Sequence, residues 1–160
     1  TGRFMYSNTT YETHLIASDL LKIGIDINSI NIQLYQNRSI ERTKLFLDAL
    51  NNMEFHLDSR IGIAVVTQDM LSRNKAKLED SEGVVSFIRD TATIEVACLL
   101  KEMSEKEVKV SLRSKQLVDV SRIALKFGGG GHIRAAGCTI FDTIDNAKKA
   151  ILEEILKNFR

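Results

Sequence analysis

Four consecutive glycines, Gly128, Gly129, Gly130 and Gly131, constrain this chain more than any other stretch. Immediately before them Val120, Ile123, Ala124 and Phe127 recur at i, i+3, i+4 and i+7, which predicts an amphipathic helix over 119–127 that stops at Gly128 as its left-handed cap. Backbone without side chains takes positive φ at no steric cost and brings N–H groups close to a ligand, best of all an anion. His132 and Arg134 follow, then the small residues Ala135, Ala136 and Gly137. An imidazole and a guanidinium beside such a backbone nest suit a phosphate or a phosphodiester. The glycines alone do not decide the matter, because a glycine run is also the ordinary mark of a mobile linker and a histidine beside one is usually just solvated.

The rest of the chain divides by periodicity. Leu15, Ile16, Leu20 and Ile23 form a helical stripe ending at Gly24, Asn28 or Ser29 is placed to cap a second short helix through Tyr35, and Ser39 to cap a third. The third has Leu45, Phe46, Ala49, Leu50 and Met53 as its apolar face. After Asn51 and Asn52 the period changes: 54–57 alternates, and 61–66 reads as a strand buried on both faces. A domain boundary is therefore expected at 52/53, with a helical segment before it and an α/β domain with a mixed sheet flanked by helices after it. Within that domain Thr67 and Asp69 open a short helix and 81–89 reads as another. Residues 94–100 and 108–112 suggest a hairpin across 102–107, and 138–141 a last strand. Asp142 or Thr143 then caps a final helix that packs through Ile144, Ala147, Ile151, Ile155 and Phe159.

Strict alternation over 108–113 buries Val108, Val110 and Leu112 and sends Lys109, Ser111 and Arg113 to the other face. Two cations and a hydroxyl then project together, as a phosphate grip would need, although outward lysines and arginines are common on solvated faces. Elsewhere the ionisable residues are uninformative. His14 and His56 are isolated, the 79–82 acidic run looks like a helix start, and no Asp/His set has metal-ligand spacing. Cys98 and Cys138 sit in apolar strand-like contexts without a Cys-x-x-Cys partner, which favours reduced thiols and a cytoplasmic setting. A net charge of +1 excludes the broad positive field of a long-duplex binder, so any nucleic acid should be short and locally held. The longest apolar run, 61–66, is far below the roughly 20 residues that span a bilayer, so no membrane partner is expected.

The string Gly128-Gly129-Gly130-Gly131-His132-Ile133-Arg134-Ala135-Ala136-Gly137 resembles the signature of the DHH-associated domain, the C-terminal half of DHH-family phosphoesterases. Upstream, Arg113-Ser114, Asp119-Val120 and Ile123-Ala124 resemble the same domain's preceding segment, in the same order and spacing. Thr1-Gly2-Arg3-Phe4 and Ser7-Asn8-Thr9 resemble the end of the catalytic domain in the oligoribonuclease (nanoRNase) and pAp phosphatase branch. There an Asp that ligates metal precedes the Thr-Gly pair, whereas this chain starts at Thr1 and carries no Asp-His-His motif.

The resemblance implies the C-terminal part of a hydrolase of short RNA oligonucleotides or nucleotide phosphates such as 3′-phosphoadenosine 5′-phosphate (pAp). Residues 1–52 would complete the catalytic domain and 53–160 would grip substrate. It implies Arg113, Ser114, Gly128, Gly129, Gly130, Gly131, His132, Ala135, Ala136 and Gly137 as substrate contacts, with His132 the one candidate for direct catalytic action. It also implies manganese, held outside this chain, so that the chain alone should be inactive. The same domain occurs in single-strand exonucleases, cyclic-dinucleotide phosphodiesterases and alanyl-tRNA synthetases, and a non-catalytic binding or dimerisation module stays open beside the hydrolase, as does a homodimer.

Overall fold

The structure is a computed structural model and describes residues 2–159. The chain forms two compact units, Thr1–Arg38 and Ser39–Arg160. The first holds helices α1 (Tyr11–Lys22) and α2 (Ile27–Tyr35), neither of which buries any residue. The predicted stripe is present, but Leu15, Ile16, Leu20 and Ile23 are all exposed. Asp26, and not Asn28 or Ser29, caps α2: its carboxylate accepts from the Ser29 amide at 3.0 Å and the Ser29 hydroxyl at 2.5 Å. The N-terminal segment is tied in by rings, with Phe4 stacked on His14 at 4.7 Å and the Arg3 guanidinium over Tyr35 at 4.3 Å. Thr1, part of the resemblance at the N-terminus, lies outside the described residues.

The second unit is a sheet with helices on both faces. It begins with α3 (Ile40–Asn51), capped as predicted by the Ser39 hydroxyl accepting from the Arg42 amide at 3.1 Å. Strand β1 (Glu54–His56), β2 (Ile61–Val66), α4 (Gln68–Asn74), a 3-10 turn (Leu78–Ser81) and α5 (Val84–Arg89) follow. The remainder is β3 (Val96–Ser104), β4 (Glu107–Ser114), α6 (Val120–Lys126), β5 (Gly130–His132), β6 (Ala135–Ile140) and α7 (Ile144–Lys157). Among the described residues six strands run β1-β2-β3-β4-β6-β5, and only the β2–β3 pair is parallel. That pair needs a crossover, supplied by α4 and α5.

One face of the sheet packs on α6 and α7, with Ile61, Cys98, Leu100, Val110 and Leu112 meeting Ile123, Ile151 and Ile155. The other packs Ala64, Val66, Ala97 and Leu99 on Leu45 and Phe46 of α3, Met70 of α4 and Ile88 of α5. Strand β2 contributes to both, which is why it reads as an unbroken apolar run. Because α3 supplies one side of this core, the compact unit starts at Ser39, ahead of the change of periodicity at 52/53.

Other expectations shift locally. The helix predicted over 81–89 is broken by Gly83 at φ +96, which separates the 3-10 turn from α5. The hairpin is longer and tighter than its apolar residues suggest, because polar Glu102, Ser104 and Glu107 extend the ladder to a turn at 105–106. The last strand starts at Ala135, three residues before Cys138. Thr143 caps α7, while Asp142 accepts from Asn146 at 2.9 Å. No helix among the described residues is long and apolar enough to cross a membrane.

Candidate functional site

Helices α3, α4 and α5 cover β2 and β3 but leave the same face of β4, β6 and β5 without a buried residue. Lys109, Gly130 and His132 are exposed there, and Ser111, Arg113, Ala135, Gly137 and Thr139 are half-buried. The register arranges them in rows. Arg113 pairs with Ala135 and Ala135 with His132, so guanidinium and imidazole stand in one row on either side of a methyl group. Strands lie about 4.8 Å apart, which separates the two by about 10 Å. The next row is Ser111, Gly137, Gly130, with no side chain beyond the hydroxyl. Together the rows make a shallow floor of methyl and glycine between a cation and an imidazole.

Each element supplies its residue for a local reason. Asp119 caps α6 by accepting from the amide and hydroxyl of Ser121 at 3.0 and 2.5 Å, and that hydroxyl above all holds its pKa below the usual carboxylate range. At the other end Gly128, at φ +70, donates to Leu125 O at 3.1 Å and Gly129 to Ala124 O at 2.9 Å, the paired bonds of a Schellman cap. The chain therefore leaves α6 as predicted, but the glycines then form strand β5 at the sheet edge and not an open loop.

The glycines are not equivalent. A Cβ on Gly129 would lie 2.2 Å from Gly137 O, one on Gly131 2.5 Å from Ala135 O and one on Gly137 2.8 Å from Val110 O. These three let backbones touch. Gly130 has nothing within 4 Å of its Cβ position and no positive φ, so neither packing nor conformation requires glycine there.

Arg113 is anchored by a bond from Nη1 to Leu112 O at 2.9 Å. Ser114, one residue on, turns to the opposite side, is buried, and donates to Ile133 O at 3.4 Å while its amide donates to Arg134 O at 3.2 Å. Ala136 likewise belongs to the core. Arg134, which the sequence sets beside the nest, is directed elsewhere: its guanidinium donates to Val118 O at 2.9 Å and to Gln116 O. The β5–β6 turn is thus bolted to the loop after β4.

That loop has an anchor that sequence reasoning passes over. Glu95 is buried and its carboxylate accepts from the amides of Gln116, Leu117 and Val118 at 3.1, 2.6 and 2.9 Å. The signal was a single carboxylate inside the apolar run Ile94-Glu95-Val96-Ala97, since buried charges survive only when hydrogen-bonded.

Burial pushes the Cys138 thiol up to about 11 and Cys98 higher still, so both stay protonated and inert at neutral pH. Among the described residues no group of three or more His, Cys, Asp or Glu is placed to hold a metal ion.

Residues 62–160 match the DHHA1 domain. The chain belongs to the DHHA1 domain family. It is 34% identical over 156 residues to the bifunctional oligoribonuclease and PAP phosphatase NrnA of Thermus thermophilus, covering 97% of this chain and 46% of that protein. A probable oligoribonuclease and PAP phosphatase NrnA from Streptococcus mutans is 29% identical, with 91% and 46% covered. The crystal structure of an exopolyphosphatase-related protein from Bacteroides fragilis superposes with a TM-score of 0.90 at 31% identity, over 98% of this chain and 46% of that one. The chain thus spans about half the length of the curated relatives it matches.

Proposed function

We propose that this DHHA1 chain is the substrate-gripping part of a DHH-family phosphoesterase that cleaves short oligoribonucleotides and pAp. The observation that carries the reading is the row Arg113, Ala135, His132 on the open face, with Gly130 in the next row. A guanidinium presents a planar fork that matches phosphate oxygens, and its anchorage on Leu112 O limits the rotamer freedom lost on binding. Opposite it, the His132 ring donates a hydrogen bond to the same or the neighbouring phosphate, and Ala135 and Gly130 let the ligand lie close to the main chain. Ser114 acts through position, by holding the β5–β6 turn that carries His132. The relatives, oligoribonucleases and PAP phosphatases, supply the substrate class. Hydrolysis calls for ligands and a metal such as manganese beyond these residues, and this chain's share is holding the substrate in line.

Calorimetric titration with pAp and with a diribonucleotide tests the reading. Wild type should bind both, and Arg113→Ala should lose about tenfold or more, the value of a charge-assisted hydrogen bond. No heat with either ligand at millimolar concentration, or equal affinity in the variant, would leave an assembly module as the better account.

A further inference from the structure

Past the rows just described, the open face continues into one that the proposed grip does not use. Lys101 of β3 pairs with Lys109 of β4, and Lys109 with Thr139 of β6, so two ammonium groups stand side by side on neighbouring strands. Like charges directly opposite one another destabilise a sheet. Neither lysine forms an ion pair among the described residues; partial burial foremost, and then the charge of Lys109, hold the Lys101 pKa below its ordinary value, against a weaker pull from Glu82. Such a pair, with Glu82 acting only at a distance and no carboxylate in ion-pair contact among the described residues, costs stability and is relieved by an anion.

The same place is hollow and has an aromatic wall. A cavity of about 510 Å³ runs from the face to the exit of α6: Lys109, Ser111, Gly137 and Thr139 line it together with Gly128 and Gly129, Phe141, and Phe127, which also packs on the α6–α7 core. Phe141 lies two residues beyond Thr139 and is 79% exposed, with no stacking or cation–π contact among the described residues, so its ring is open to a base. Four residues of strand separate Lys109 from Arg113, about 13 Å, which leaves room for a further nucleotide beyond the one at Arg113 and His132.

We infer that Lys101, Lys109, Phe127 and Phe141 form a second nucleotide subsite, in which the paired lysines take a phosphodiester and Phe141 stacks the base, so that this face binds single-stranded oligoribonucleotides longer than two residues in an extended track. The inference rests on the proposed function and deepens it. The geometry combines the two elements of sequence-tolerant single-strand binding, a cationic line for the backbone and a ring for the base. Because neither contact reads a base edge, the subsite sets substrate length and not sequence.

The test is calorimetry of wild type, Phe141→Ala and Lys109→Gln with unlabelled di-, tri- and pentaribonucleotides at several salt concentrations. Wild-type affinity should rise with length. Both variants should match wild type on the dinucleotide and lose about tenfold on the pentanucleotide. For Lys109→Gln the slope of log K against log salt should shrink by about 0.7, one phosphate's share on a single strand. Removing Lys109 also relieves its repulsion of Lys101, so this variant should melt no lower than wild type, which excludes unfolding as the cause of lost affinity. If wild type binds the dinucleotide but the variants follow it at every length, or lose equally at all lengths, the subsite is refuted and the proposed function stands. If wild type fails to bind even the dinucleotide, both fall.

Discussion

At the scale of single residues, the glycine run separates packing from function. Gly129 and Gly130 are chemically identical neighbours in opposite situations. A methyl on Gly129 would meet Gly137 O at 2.2 Å and the Cys138 Cβ at 2.5 Å, backbone and core that cannot yield cheaply. Gly129→Ala should therefore cost about 1–3 kcal/mol or more of stability in a chemical melt. Gly130→Ala meets nothing within 4 Å and should stay within about 0.5 kcal/mol of wild type, yet weaken pAp binding, because its methyl would occupy the floor where ligand approaches. Equal stability losses in the two variants would show that the Gly130 position is also a packing requirement. The thiols give a simpler expectation. With Cys138 pushed up to about 11 and Cys98 higher, neither should react with a disulfide reagent at pH 7 until denaturant is added; prompt labelling of either would show the sheet to be open around it.

At the scale of elements, the proposed site depends on a loop that supplies none of its proposed contacts. The carboxylate of Glu95 gathers three amides, Arg134 clamps the carbonyls of Val118 and Gln116, and Ser114 fixes the turn at Ile133. Glu95→Ala leaves the buried Val118 amide and the part-buried amides of Gln116 and Leu117 without their acceptor and should lower stability by about 1–3 kcal/mol, with Glu95→Gln intermediate since its amide oxygen still accepts. Arg134→Ala should weaken nucleotide binding without changing its salt dependence, because the guanidinium grips backbone and not phosphate; a reduced salt slope would return Arg134 to the ligand. These roles mark how far the sequence was legible. The caps at Ser39, Thr67 and Gly128 and the alternation of β4 follow local rules, and the structure has them. Strand β5 was not legible, because glycines carry no side-chain periodicity and the strand exists only through its pairing with β6. The same holds for Arg134: its neighbours in sequence are proposed site residues, but a turn of the chain points it at carbonyls sixteen and eighteen positions away.

At the scale of the molecule, the question is where the folding unit begins. Periodicity changes at 52/53, yet α3 lies before that change and buries Leu45, Phe46 and Ala49 against Val84, Val85 and Ile88. Polar ties reinforce it, as Arg73 donates to both oxygens of Asp48 at 2.9 and 2.8 Å and Asn74 adds a third bond at 2.8 Å. A periodicity argument sees the helix-to-strand switch but not what the helix covers, since contacts between α3 and α5 join residues some forty positions apart. Fully burying a leucine or phenylalanine contributes about 1.5–3 kcal/mol each. A chain of residues 39–160 should therefore unfold in a single cooperative transition. A chain starting at residue 53 exposes the apolar surface of α5 and the sheet beneath it, and should melt at least about 10 °C lower, since each kcal/mol is worth about 3–5 °C at this size. Calorimetric melts of the two chains decide it: indistinguishable midpoints would place the boundary at 52/53 and reduce α3 to an appendage.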